Sequence, residues 1–127
     1  MPIDLLEVVR IFDETTTPAK RRMIACIHVG NGWFFRINSK KWQTPVLLRK
    51  FDHPFLDHDS YLECGEPLDV DDYLIDQAIA KFGILGKLAE VVVPDVLQAV
   101  DKARTLTKRD KEAIKAALSA LLKPPAG

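Results

Sequence analysis

The chain has 127 residues, 47% of them hydrophobic and 28% charged, and its formal charges cancel to zero. That length fits a single domain, 1–127, whose core needs no metal or disulfide frame. No apolar run approaches the ~18 residues that cross a bilayer and no charged-then-apolar leader opens the chain, so a cytoplasmic protein without a membrane partner is expected.

Taken in order, the first half has the pattern of strands. "LEVVRIF" at 6–12 is the first, with "DETTTP" as its loop. "MIACIHV" at 23–29 and "WFFRIN" at 33–38 flank Gly30-Asn31-Gly32, a hairpin signal because Asn and Gly tolerate the positive φ that tight turns need. "PVLLRK" at 45–50 and "YLEC" at 61–64 complete five short strands, enough for a small, strongly curved antiparallel barrel over about 5–65. After Gly65 the period changes. Asp69 is the expected N-cap of a helix over 70–82, with Val70, Tyr73, Leu74, Ile75, Ala78 and Phe82 as its apolar face. Pro94 opens a second helix running to about Arg104, and Thr107 with Asp110 caps a third that ends before Pro124. The stretch 86–93 fits turn, strand or helix. Strands followed by a helical part over about 69–122 make an α+β domain. Cys26 and Cys64 lack metal or redox spacing and suit buried free thiols.

Charge is segregated along the chain. Residues 1–14 sum to −3, 15–51 to +8 without one acid, 52–101 to −10 and 102–127 to +5. The basic block also holds Trp33, Phe34, Phe35, Trp42 and Phe51, five of the ten aromatics. Cations that neutralise phosphates beside rings that stack on unpaired bases are what single-stranded nucleic-acid binders use, which makes Lys20, Trp33, Arg36, Lys40, Lys41, Trp42 and Arg49 candidate RNA contacts. The competing reading is rings alternating into a core under a solvated basic face. Within the block Arg21, Arg22 and Ser39 are the catalytic candidates: a guanidinium fork binds phosphate through two hydrogen bonds and a hydroxyl adds a donor, while the 2′-hydroxyl of RNA supplies the nucleophile.

"DHPFLDHDS" at 52–60 sets His53 and His58 among three aspartates. A separation of five residues puts the two rings on opposite faces of a strand and ~140° apart on a helix, against a shared metal ion. An acid/base role for His53, His58 or His28 and a plain connection anchored by Phe55 and Leu56 both stay open. No metal and no cofactor is expected.

Residues 20–64, "KRRMIACIHV" through "FRINSKK" to "HPFLDHDSYLEC", together with the tail "ARTLTKRDKEAI", resemble the PemK/MazF-like toxin group, in its divergent branch of hypothetical proteins from phages and mobile elements. The resemblance implies an SH3-like barrel followed by helices, a homodimer, an antitoxin partner, and metal-independent endoribonuclease activity of toxin-antitoxin type on single-stranded RNA. It also assigns positions: Arg21-Arg22 stands where the family's arginine leads into the second strand, and Ser39 where a serine or threonine ends the next. The chain departs from the family in "IDLLEV" at its start and in Met23-Ile24-Ala25 after the arginines. Two other functions compete: a non-catalytic interaction module that takes a protein or peptide segment in its groove, and a metal hydrolase centred on His53 and His58.

Overall fold

Residues 3–13, 18, 20–41 and 44–122 are described by a computed structural model of the chain. Five strands form where the alternation and apolar runs place them: β1 Glu7–Asp13, β2 Lys20–His28, β3 Trp33–Asn38, β4 Pro45–Leu48 and β5 Ser60–Glu63. Two further strands have two residues each, β6 Leu68–Asp69 and β7 Gly86–Lys87. All pairings are antiparallel, in the order β4-β5-β3-β2-β1-β7, with β6 alongside the start of β3. The sheet curls into an open half-barrel followed by α1 Asp72–Phe82, α2 Val93–Lys102 and α3 Lys108–Ser119.

Side-chain parity explains why β2 is apolar almost throughout. On one sheet face Val8, Ala25, Ile27, Phe35 and Ile37 meet Val93, Val96 and Val100 of α2 and Ile114 and Leu118 of α3. On the other, Val9, Ile24, Cys26 and Phe34 meet Val70, Ile75 and Ala78 of and before α1. A strand covered on both faces has no polar alternation to keep. Phe34 and Phe35 are both fully buried, on opposite faces.

Local chemistry sets the ends of the elements. In the β2–β3 turn the Gly32 N–H donates to the Val29 carbonyl, and only Gly32 takes positive φ (65°), so the hairpin uses a single left-handed residue and a register irregularity between Cys26 and His28. Asp69 does not cap α1. Its backbone is committed to β6 opposite Trp33, and the helix begins three residues later. Tyr73 and Leu74, expected on the apolar face, are instead exposed, because the buried stripe runs through Ile75 and Ala78. The Thr107 hydroxyl caps α3 by accepting the Asp110 N–H at 3.1 Å. The ambiguous stretch 86–93 divides into β7 and a 3₁₀ turn, Glu90–Val92, that runs into α2.

The segment 50–59 is a connection that locks onto β7. His53 is fully buried; the Ala89 N–H donates to its Nε2 at 3.1 Å, so Nδ1 carries the proton and donates to the Arg49 carbonyl at 2.8 Å. Phe55 lies against Gly86, where an added Cβ would come within 2.3 Å of its ring, and Leu56 is buried. Gly86→Ala is therefore expected to destabilise by ~1–3 kcal/mol in urea unfolding, with Phe55→Leu restoring part of the stability; full stability of the single variant would refute the close approach.

Both thiols are free and fully buried. Burial pushes Cys26 up to about 12, against a lowering contribution from the His28 backbone, and burial raises Cys64 too, with the Glu63 charge adding to it. An unfolded thiol ionises near pH ~8.5, so below that the folded state loses nothing, and above it stability declines as pH rises toward the folded value. Neither thiol should react with a chromogenic disulfide at pH 8 in the native protein, and both should react in denaturant. Rapid native labelling would contradict this burial.

Candidate nucleic-acid interface

The face covered by α1 is apolar along only part of its length. Going along β1 on that face, Val9 is buried under the helix, Ile11 is half-buried beside it, and Asp13 ends the row. Beyond the helix the same face carries Arg22 of β2, Arg36 and Asn38 of β3, and Glu63 of β5. A helix of 11 residues spans only about 16 Å, so this end of the sheet stays uncapped, and polar side chains take the place of a core.

These side chains form one network across four strands. The Asp13 carboxylate, 2% exposed, accepts from Arg36 Nε at 2.7 Å and lies 3.4 Å from Arg22 Nε. Arg22 donates through one terminal nitrogen to Asn38 Oδ1, and Asn38 Nδ2 donates to Glu63 Oε2 at 3.0 Å. Among the described residues Arg22 Nε makes no hydrogen bond although it is buried, so Asp13 holds it by charge alone.

A cleft of about 840 Å³ opens over the network. Arg21, Arg22 and Ser39 all line it, with Lys20, Arg36, Lys40, Arg10 and His58. Lys20, Arg21, Lys40 and Arg10 form no ion pair among the described residues, although Arg10 and Arg21 each lie under 6 Å from the Phe82 ring. His58 is exposed at the rim; its Nδ1 lies 2.8 Å from the Asp59 carbonyl, which can only accept, so on the neutral ring Nδ1 is protonated and Nε2 is the acceptor.

Other candidates sit elsewhere. Trp33 is half-buried at the far end of β3, tilted against His28 at 5.5 Å. Arg49 is exposed outside the cleft, and Trp42 lies outside the described residues. Lys41 places its amine 5.8 Å from the Tyr61 ring centre. The aromatic residues do not share one stacking surface: Phe34 and Phe35 are interior, and Phe51 is 87% exposed on the 3₁₀ turn Lys50–Asp52. His53, weighed for acid/base work, has both nitrogens bound within the protein and no exposure, so it is a clamp between the connection and the segment that leads into α2. His53 and His58 do not form a metal cluster, and the described residues contain no group of three or more His, Cys, Asp or Glu that would hold an ion. No helix among them is long and apolar enough to cross a membrane. Sequence reasoning missed Arg10, Asp13 and Glu63. Parity along β1 was the available signal for Asp13, which shares the face of Val9 and Ile11.

Comparison of the chain with protein-family models, with curated proteins and with solved structures found no match.

Removing the shared carboxylate leaves the buried Arg36 and the partly buried Arg22 guanidinium groups without it, so Asp13→Ala should cost ~3–5 kcal/mol in urea unfolding. A decrease below ~1 kcal/mol would mean that the pair does not hold these strands together.

Proposed function

We propose that the cleft binds single-stranded RNA and that the chain is a metal-independent endoribonuclease of the PemK/MazF-like kind. The observation that supports this most is the convergence of Arg21, Arg22 and Ser39 on one cleft with cations that no acid among the described residues neutralises. Lys20, Arg21 and Lys40 take the phosphate backbone. Arg22, fixed from behind by Asp13 and Asn38, is preorganised for charge that grows on phosphorus, and the Ser39 hydroxyl supplies a further donor.

Chemistry then needs only a base. His58 Nε2 takes the proton of a 2′-hydroxyl; the 2′-oxygen bonds to the adjacent phosphorus; the bond from phosphorus to the 5′-oxygen breaks, and that oxygen takes a proton from water. The products are a 2′,3′-cyclic phosphate and a free 5′-hydroxyl, with neither oxidation nor metal in the balance. On the same reading an antitoxin is an acidic segment that fills the basic cleft, and the working unit is a homodimer.

Single-stranded RNA should bind with strong salt dependence. The triple variant Lys20→Ala, Arg21→Ala, Lys40→Ala should flatten the log-log salt slope by about 2, at ~0.7 for each phosphate that a side chain ceases to neutralise. In EDTA the protein should leave cyclic-phosphate ends, and His58→Ala should slow this by ~10²-fold or more, with Ser39→Ala also slower. An unchanged slope in the triple variant would show the site to be wrong. Tight binding by the wild-type protein with no cleavage would overturn the nuclease and favour the non-catalytic interaction module.

A further inference from the structure

The cleft does not end at the network. On the same sheet face the register carries the row from Asn38 to Tyr61 on β5 and on to Leu47 on the edge strand β4. Tyr61 is half-buried and Leu47 is 46% exposed, so the row leaves the charged cleft as a partly open apolar strip. The amine of Lys41 lies 5.8 Å from the centre of the Tyr61 ring, on an exposed side chain next in sequence to the cleft residue Lys40. A ring whose neighbour is a solvated, movable cation keeps a surface open to a flat group. Lys40 at the cleft and Lys41 by the Tyr61 ring follow one another just past the end of β3, whose last residue, Asn38, is the register partner of Tyr61.

We infer that Tyr61 is a base-stacking position, on which the unpaired base next to a cleft-bound phosphate lies flat while Lys41 swings to that nucleotide's own phosphate. This rests on the proposed RNA reading and adds to it the selection of single strands, because a paired base has no free face to offer. Phe34 and Phe35, two of the five aromatic residues of the basic block, are unreachable, and Tyr61 lies outside that block altogether.

The test compares a single-stranded RNA decamer, the same decamer with abasic sugars, and inorganic polyphosphate of similar charge. Tyr61→Leu should weaken binding of the decamer by ~5- to 160-fold, the range that follows from ~1–3 kcal/mol per stacked base. The abasic decamer and polyphosphate should bind wild-type and Tyr61→Leu protein alike, and Tyr61→Phe should bind the decamer like wild type. If Tyr61→Leu folds poorly, the wild-type protein still decides: of its two tyrosines, Tyr61 and Tyr73, only the Tyr61 ring resonances should move upfield on adding the decamer, and neither on adding polyphosphate. Equal weakening on normal and abasic RNA, or Tyr61 resonances that ignore the decamer, would overturn the stacking position alone. A wild-type protein that binds neither RNA nor polyphosphate would overturn the cleft reading itself.

Discussion

Asp13 is the point on which the polar end of the sheet depends. Its carboxylate is almost fully buried between Arg22 and Arg36, and Arg22 passes the constraint through Asn38 to Glu63, so β1, β2, β3 and β5 are tied by side chains where no helix ties them. Taking charges out of water costs several kcal/mol per ion, and a well-packed apolar substitute is often as stable. Net stability alone is therefore a weak reason for such a network. What an apolar substitute cannot do is fix a guanidinium in place with donors to spare, and that is the property a phosphate-facing arginine needs.

Why the network sits where it does follows from the helices. α2 and α3 together cover one face of the sheet, while α1, alone on the other, covers the Val9–Phe34 end. The connection from β4 to β5 is drawn away to the opposite job: His53, Phe55 and Leu56 clamp it to the segment that leads into α2. With that loop and the other two helices engaged elsewhere, the far end of the α1 face is left open. A cleft there is a consequence of how few elements the chain has, and its polarity is the condition for leaving it uncovered.

Much of this architecture is legible in the sequence, because apolar runs bounded by turn residues mark β1 to β5 and a period of 3.6 survives in the three helices. The short β6 and β7 are not, since a ladder of two residues has no period, and Asp69 looks like a cap until the strand it joins is known. The site was half legible. Arg21, Arg22 and Ser39, singled out by residue type and by resemblance, line one cleft, yet neighbours in sequence such as Phe34 and Phe35 were grouped where a strand necessarily separates them. His53 and His58 share one motif and opposite environments, one interior and one at the rim, a difference set by which loop residues find the β7 segment. Glu63 and Tyr61 belong to a block that counts as acidic, and only pairing across β3 brings them beside the basic one.

Charge in the cleft divides into two layers with different work. The inner one is balanced: Arg22 and Arg36 against Asp13 and Glu63 sum to zero, and these four are bound or buried within the sheet. The outer layer is not. Arg10, Lys20, Arg21 and Lys40 give +4, and Glu66, the remaining acid of the lining, brings the sum to +3. Lys20, Arg21 and Lys40 are exposed and Arg10 is half-buried, and cations within a Debye length of ~8 Å of one another act together on a polyanion. Of the eight cations in the basic block, the fold places Arg22 and Arg36 in the network and Lys20, Arg21 and Lys40 along the cleft without ion pairs among the described residues, while Lys41, Arg49 and Lys50 lie outside its lining. Replacing the outer cations therefore leaves intact the Asp13 contacts that hold the strands.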